Sequence, residues 1–191
     1  MNRREALKRV ALLLGGAISA PVVNAVLSGY RPLPRYTPQT LSAEQNELVI
    51  TIAELIIPTT DTPGAREAGV GQFIDLMLTE WYPAKDRNRF LAGLADLENQ
   101  FQLKHGKRFL QGTSPEQTEF LANLDLEAIG ARRARVKEVP FFGMMKEMTL
   151  AGYYTSEIGA TDELQFRPAT DRYDGCIPLE SVGGRAWAGI G

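Results

Sequence analysis

The chain has 191 residues, a formal net charge of -2, one cysteine and one histidine. This length predicts one domain of ordinary size with a real core, and the small net charge gives no basic field for nucleic acid. Cys176 alone cannot form an internal disulfide or hold an iron–sulfur cluster. His105 alone does not provide the ligand set of a zinc or haem site. The sequence contains no phosphate-loop, dinucleotide-binding or c-type haem motif.

The first 25 residues have the pattern of an export signal. Arg3 and Arg4 stand in a basic start, an apolar run covers residues 10–18, and small residues lead to a cleavage site at residues 23–25. The run is shorter than the ~20 apolar residues that span a bilayer. The paired arginines predict the twin-arginine (Tat) route, which exports folded proteins. We assign 1–25 to a Tat-type signal peptide and expect a periplasmic protein; an amphipathic helix that stays on the mature chain is the alternative.

Residues 26–41 predict an extended, proline-rich arm. The segment contains Pro32, Pro34 and Pro38 together with Tyr30 and Tyr36. Prolines at this spacing keep the backbone extended and prevent a helix, and the aromatic rings indicate that the arm lies on a surface.

Residues 42–191 predict a single helical domain. Five segments carry an apolar face at helical spacing; they begin near Ser42, Val70, Lys85, Ser114 and Phe141. Ser42 with Gln45, and Ser114 with Gln117, read as capping boxes, and the second stripe extends to Trp81. The methionine-rich fifth segment, which includes Ala151, is typical of a central core helix.

The periodicity stops near Gly159, yet aromatic residues such as Phe166 continue into the last part of the chain. We interpret residues 158–191 as a tail that is ordered by wrapping the helical body or another protein. The predicted fold is therefore all-α, an irregular bundle of about five helices with an extended N-terminal arm and a long non-helical C-terminal tail. His105 is expected to be an ordinary surface residue, and Cys176 a small, semi-buried hydrophobe.

Paired carboxylates are the remaining candidates for acid–base chemistry. The pairs are Asp61 with Glu67, Glu157 with Asp162, and Asp171 with Asp174. Each pair lies among turn-forming residues, and Asp61 in T-T-D-T-P-G is interpreted as fixing its own loop. We therefore assign no catalytic, cofactor-binding or metal residue in this chain.

Two strings carry a family resemblance. Residues 54–75 contain I-I-P-x-T-x-T-P-G-A-x-x-A-G-V, which is long and specific, and residues 148–161 contain G-Y-Y-T-S-E-I-G, followed by Tyr-Asp-Gly at 173–175. From about Ser42 onward the chain resembles the gluconate 2-dehydrogenase subunit 3 family. Members of that family are small subunits of exported sugar and polyol dehydrogenases.

The resemblance implies a role without chemistry of its own. In that family a large subunit of the glucose–methanol–choline type holds FAD and performs the oxidation, and electrons pass to a cytochrome c. The small subunit supplies the Tat signal and assists maturation, without a known redox cofactor. The implied partners are thus the flavoprotein, a cytochrome c subunit and the Tat translocase, with membrane association through partners. The sugar, the carbon oxidised and the electron acceptor are not specified.

The resemblance also implies an interface with the flavoprotein, formed by the two motif loops, the arm and the tail. The candidate residues are Tyr36, Thr59, Thr60, Asp61, Thr62, Pro63, Gly64, Tyr153, Tyr154, Glu157, Tyr173 and Trp187. Two other functions stay open: a free-standing periplasmic chaperone or binding protein, and a stand-alone sugar enzyme that uses the carboxylates of the Asp61 loop.

Overall fold

The computed structural model describes residues 36–166 and 176–186. The chain divides into two units, Met1–Thr37 and Pro38–Gly191. Of the first unit, only half-buried Tyr36 and exposed Thr37 are described, so the signal peptide and most of the arm lie outside the described residues. The helices described all belong to the second unit.

Within the described part of the second unit the regular structure is helical, which confirms the predicted all-α class. The α-helices are α1 (Ala43–Ile56), α2 (Val70–Leu76), α3 (Ala84–His105), α4 (Ser114–Arg133) and α5 (Phe141–Thr155). Short 3-10 turns cover Phe109–Gln111 and Leu179–Val182, and π turns cover Met77–Trp81 and Gly159–Glu163. None of the helices described is both long and apolar enough to cross a membrane.

The core is built around α5, which packs against each of the other four helices. Met145 is completely buried, and Met144 and Met148 are nearly so, which confirms the predicted central helix. Burying such a side chain stabilises a fold by ~1.5–3 kcal/mol. Ala151, in contrast, is exposed; α5 turns that position towards solvent while Gly152 lies against Phe73 of α2.

Trp81 does not belong to the core, contrary to the sequence prediction. Its side chain is 76% exposed. The reason is the π turn that follows α2, in which the Tyr82 N–H donates to the Met77 carbonyl at 2.9 Å. This i→i+5 bond adds one residue to the turn. Trp81 is therefore displaced from the buried face on which α-helical spacing would have placed it.

Of the two predicted capping boxes, one is present as predicted and the other lies one residue earlier. Ser42 and Gln45 form the predicted capping box, with distances from backbone nitrogen to side-chain oxygen of 2.9 and 3.1 Å. The box predicted at Ser114 and Gln117 is wrong by one residue: Thr113 is the N-cap, and its partner is Glu116. The shift frees Gln117 to enter the core, where its side-chain amide donates to the Phe109 carbonyl at 2.7 Å.

Glu116 gives α4 a pH-dependent cap. Lys107 lies 2.7 Å from its carboxylate, and the Thr113 N–H and hydroxyl donate to it. Together these groups lower the pKa of Glu116 to about 2. A depressed acid pKa stabilises the fold above the ordinary value of 4.5, and this contribution is lost as pH falls towards 2.

We therefore expect Glu116→Gln, which keeps the side-chain acceptor but not the charge, to lower Tm at neutral pH. The difference in Tm between the variant and the wild type should become smaller as pH falls from 4.5 to about 2. Thermal unfolding across this range checks the expectation, with Glu127→Gln, at an exposed glutamate on α4, as the control. A deficit that stays constant with pH would contradict it.

Candidate functional site

The loop between α1 and α2, residues 57–69, is organised by Glu54 in the last turns of α1. One carboxylate oxygen, Oε1, accepts the Thr59 N–H at 2.9 Å and the Thr59 hydroxyl at 2.8 Å. The other, Oε2, accepts the Arg66 N–H at 2.9 Å. A single side chain therefore holds both sides of the loop through charge-assisted hydrogen bonds.

Gly64 completes this arrangement because it has no side chain. Its N–H donates to the Thr59 hydroxyl oxygen at 3.1 Å. A Cβ at this position would lie 2.5 Å from the Glu54 carboxylate and 2.6 Å from the Thr59 nitrogen. Glycine is required here by close approach rather than by backbone angle.

The charged form of Glu54 is favoured by its partners. Partial burial acts to raise the pKa of Glu54, but the hydrogen bonds from Arg66 and Thr59 and the Arg66 charge outweigh burial, so the pKa is lowered overall. The carboxylate is thus the ionised acceptor that the loop needs at neutral pH.

Two contacts support the loop from the rest of the domain. The Tyr153 hydroxyl, on α5, donates to the Pro63 carbonyl at 2.8 Å, and the Thr62 hydroxyl donates to Glu163 at 2.9 Å. Glu163 ends the π turn after α5. The Tyr153–Pro63 bond joins the two sequence strings that carried the family resemblance, across 90 residues of chain. The Thr62–Glu163 bond joins the first string to a residue just beyond the second, across 101 residues.

The predicted interface residues differ in exposure. Thr59, Thr60, Asp61, Tyr154 and Glu157 are exposed. Thr62 and Pro63 are half-buried, and Gly64 is buried. Tyr153 is only 1% exposed; its hydroxyl contacts the loop at Pro63, and burial raises the pKa of that hydroxyl. Arg3, Arg4, Tyr173 and Trp187 lie outside the described residues, and Tyr36 belongs to the N-terminal unit.

Asp61 does not organise the loop, contrary to our interpretation of the sequence. Its side chain is exposed and accepts a hydrogen bond from the neighbouring Thr60 hydroxyl at 3.0 Å. The organising carboxylate is Glu54, which was not predicted from the sequence although it opens the resemblance string. The available signal was its position: an acidic residue among apolar ones in the last turns of a predicted helix, directly before a loop whose N–H groups have no helical acceptors.

Asp75 forms a second carboxylate clamp that sequence reasoning missed. Its side chain is completely buried and accepts backbone N–H groups from three consecutive residues: Gln39 at 2.7 Å, Thr40 at 3.1 Å and Leu41 at 2.8 Å. The Thr40 and Thr79 hydroxyls also meet, at 2.7 Å. Asp75, on α2, thus holds the segment that precedes α1 against α2.

Other candidate groups are placed apart from the loop. His105 is not an ordinary surface residue: its side chain is 14% exposed and stacks on Phe101 with ring centroids 4.4 Å apart. Cys176 is exposed rather than semi-buried. Residues 36–166 and 176–186 contain no cluster of three or more His, Cys, Asp or Glu that could hold a metal ion.

The described geometry defines a small helical domain in which the first motif string forms a polar surface loop, and the second string, largely on α5, contacts that loop. The chain matches the family model described as Gluconate 2-dehydrogenase subunit 3 over residues 43–170. It belongs to that family. The match begins at α1 and ends before the Tyr-Asp-Gly string at 173–175. Comparison with curated proteins gave no match, and comparison with solved structures gave none either.

Proposed function

We propose that this chain is a noncatalytic subunit of an exported, FAD-dependent sugar or polyol dehydrogenase. The observation that carries the proposal is the family match over residues 43–170, which includes all five α-helices. In this proposal a flavoprotein of the glucose–methanol–choline type holds FAD and oxidises the substrate, and a cytochrome c receives the electrons. The chain itself carries no cofactor.

The geometry of the loop supports a binding role. Its exposed tip, Thr59–Asp61, stands on a base fixed by Glu54, Gly64 and Tyr153. A loop that is already ordered loses little conformational entropy when it binds, so more of the contact energy appears as affinity. Exposed Tyr154 lies edge-on to Tyr153 at 5.3 Å and adds an amphipathic ring of the kind enriched at interfaces.

The N-terminal sequence supports the export part of the proposal. Because FAD is inserted in the cytoplasm, the flavoprotein must cross the membrane already folded, which the Tat route permits. Arg3 and Arg4 then serve as the export tag of both subunits. The partner without its own signal is carried across in complex with this chain, and the mature complex works in the periplasm.

Co-expression with the flavoprotein subunit tests the proposal. Three strains are compared: flavoprotein alone, flavoprotein with this chain, and flavoprotein fused to an independent Tat signal without this chain. We expect periplasmic, FAD-loaded and active flavoprotein only in the second strain, and exported but poorly matured flavoprotein in the third. Full export, FAD content and activity without this chain would overturn the proposal.

A further inference from the structure

A groove between the end of α4 and α5 has the properties of a docking site. It encloses about 250 Å³, below the ~300–1,000 Å³ of small-molecule pockets. Its lining includes the small residues Ala128 and Gly143 and the larger apolar residues Ile129, Val136, Val139 and Leu150. Each of these four larger residues is 38–54% exposed. The size favours one or two side chains of another protein over a cofactor.

A basic segment, residues 133–137, borders the groove through Val136, and we call this segment the rim. The four charged residues that line the groove itself form two ion pairs between its helices: Arg132 with Glu147 at 2.7 Å, and Lys146 with Asp125 at 2.8 Å. Arg133, Arg135 and Lys137 of the rim are exposed cations, and none of them forms an ion pair among the described residues. An apolar centre with a charged rim is the usual anatomy of a protein interface, and here the rim selects an acidic partner.

Arg135 adds an independent observation because it occupies a backbone conformation that favours glycine. Its φ is 53°, the one positive φ at a non-glycine among the residues described. The Arg135 and Val136 N–H groups donate to the Arg132 and Ala131 carbonyls, which is the Schellman ending of a helix. At the end of α3 the same left-handed position is held by Gly106, with φ 70°.

An arginine at this cap is less stable than a glycine would be, and strained positions of this kind cluster at functional sites. We propose that the α4–α5 groove docks an acidic segment of the flavoprotein subunit, with apolar side chains in the groove and carboxylates on Arg135 and its neighbours. This inference rests on the proposed function and names the face that the partner uses. It adds a surface that the motif loops do not include.

Arg135→Gly separates binding from folding, because it relieves the strained cap while removing a rim charge. Using the full chain and the purified flavoprotein subunit, we expect Tm not to fall and Kd to rise about 5- to 10-fold, with a weaker salt dependence. Leu150→Glu places a like charge in the groove and should raise Kd by at least ~30-fold.

The controls are Lys104→Gln and Leu103→Glu, at the exposed end of α3. Lys104 pairs with Glu119, which is about 20 Å from Arg132 along α4 at ~1.5 Å per residue. The controls should change Kd by less than about 2-fold.

Wild-type affinity in either Arg135→Gly or Leu150→Glu would overturn the inference while the proposed function stands. A lowered Tm with unchanged Kd would mean that the chain covers its own groove, and would also overturn it. Failure of the wild-type chain to bind the flavoprotein would reject the proposed function and this inference together.

Discussion

Replacing Asp75 with alanine is expected to destabilise the helical domain by about 3 kcal/mol or more. The carboxylate is completely buried, and its removal leaves the N–H groups of Gln39, Thr40 and Leu41 without this acceptor. Each such group costs ~1–3 kcal/mol when it is left unsatisfied, although water reaches part of this segment and reduces the total. The free energy of urea unfolding measures the effect.

Asp96→Ala is the control for Asp75→Ala, because Asp96 is an exposed aspartate on α3 and its loss should cost within ~0.5 kcal/mol. Asp75→Asn should recover only part of the stability, since an amide keeps one oxygen acceptor and turns an N–H group towards the backbone donors. The role assigned to Asp75 is wrong if alanine at this position costs no more than alanine at position 96.

Replacing Glu54 with alanine is expected to cost about 2–3 kcal/mol and to loosen the loop that follows α1. The carboxylate accepts three hydrogen bonds, from the Thr59 N–H, the Thr59 hydroxyl and the Arg66 N–H. Because the pKa of Glu54 is lowered in the fold, its contribution is full above the ordinary value of 4.5 and declines below it. Urea unfolding and proteolysis within residues 57–69 report the two effects.

Gly64→Ala provides a sharper test of the same arrangement. Alone, it should be strongly destabilising because its Cβ would meet the Glu54 carboxylate at 2.5 Å. In the Glu54→Ala background part of that clash is removed, so the second substitution should cost less, leaving a coupling of about 1 kcal/mol or more. Additive effects in this double-mutant cycle would contradict the packing of Gly64 on Glu54.

The helices were predictable because their signals are local. Apolar periodicity and flanking breakers such as Pro58 and Gly106 depend on neighbouring residues alone, and α1, α3 and α5 lie where the pattern placed them. The π turn at Met77–Trp81 was missed because its wider hydrogen bonding has no distinct sequence pattern. The cap of α4 shifted by one residue because burial of Gln117, a tertiary effect, decided between Thr113 and Ser114.

The sequence indicated which segment forms the candidate site, but not which side chains hold that segment in place. The resemblance string contains the loop that contacts α5, yet it did not distinguish exposed Asp61 from the organising Glu54. The partner-binding role of this loop stays a prediction. Asp75 was missed for a stronger reason: the N–H groups it accepts lie 34–36 residues earlier in the chain. A buried carboxylate whose partners are distant backbone groups leaves only one sequence signal, an acidic residue beside an apolar stripe.

The most direct test of the proposed role is to replace Arg3-Arg4 with Lys-Lys and measure flavoprotein activity and FAD in the periplasm. The substitution preserves charge but removes the twin-arginine signal, so we expect both subunits to remain in the cytoplasm. Arg9→Lys, a conservative change in the same basic segment, should leave export unchanged. Undiminished periplasmic flavoprotein in the Lys-Lys variant would contradict the account.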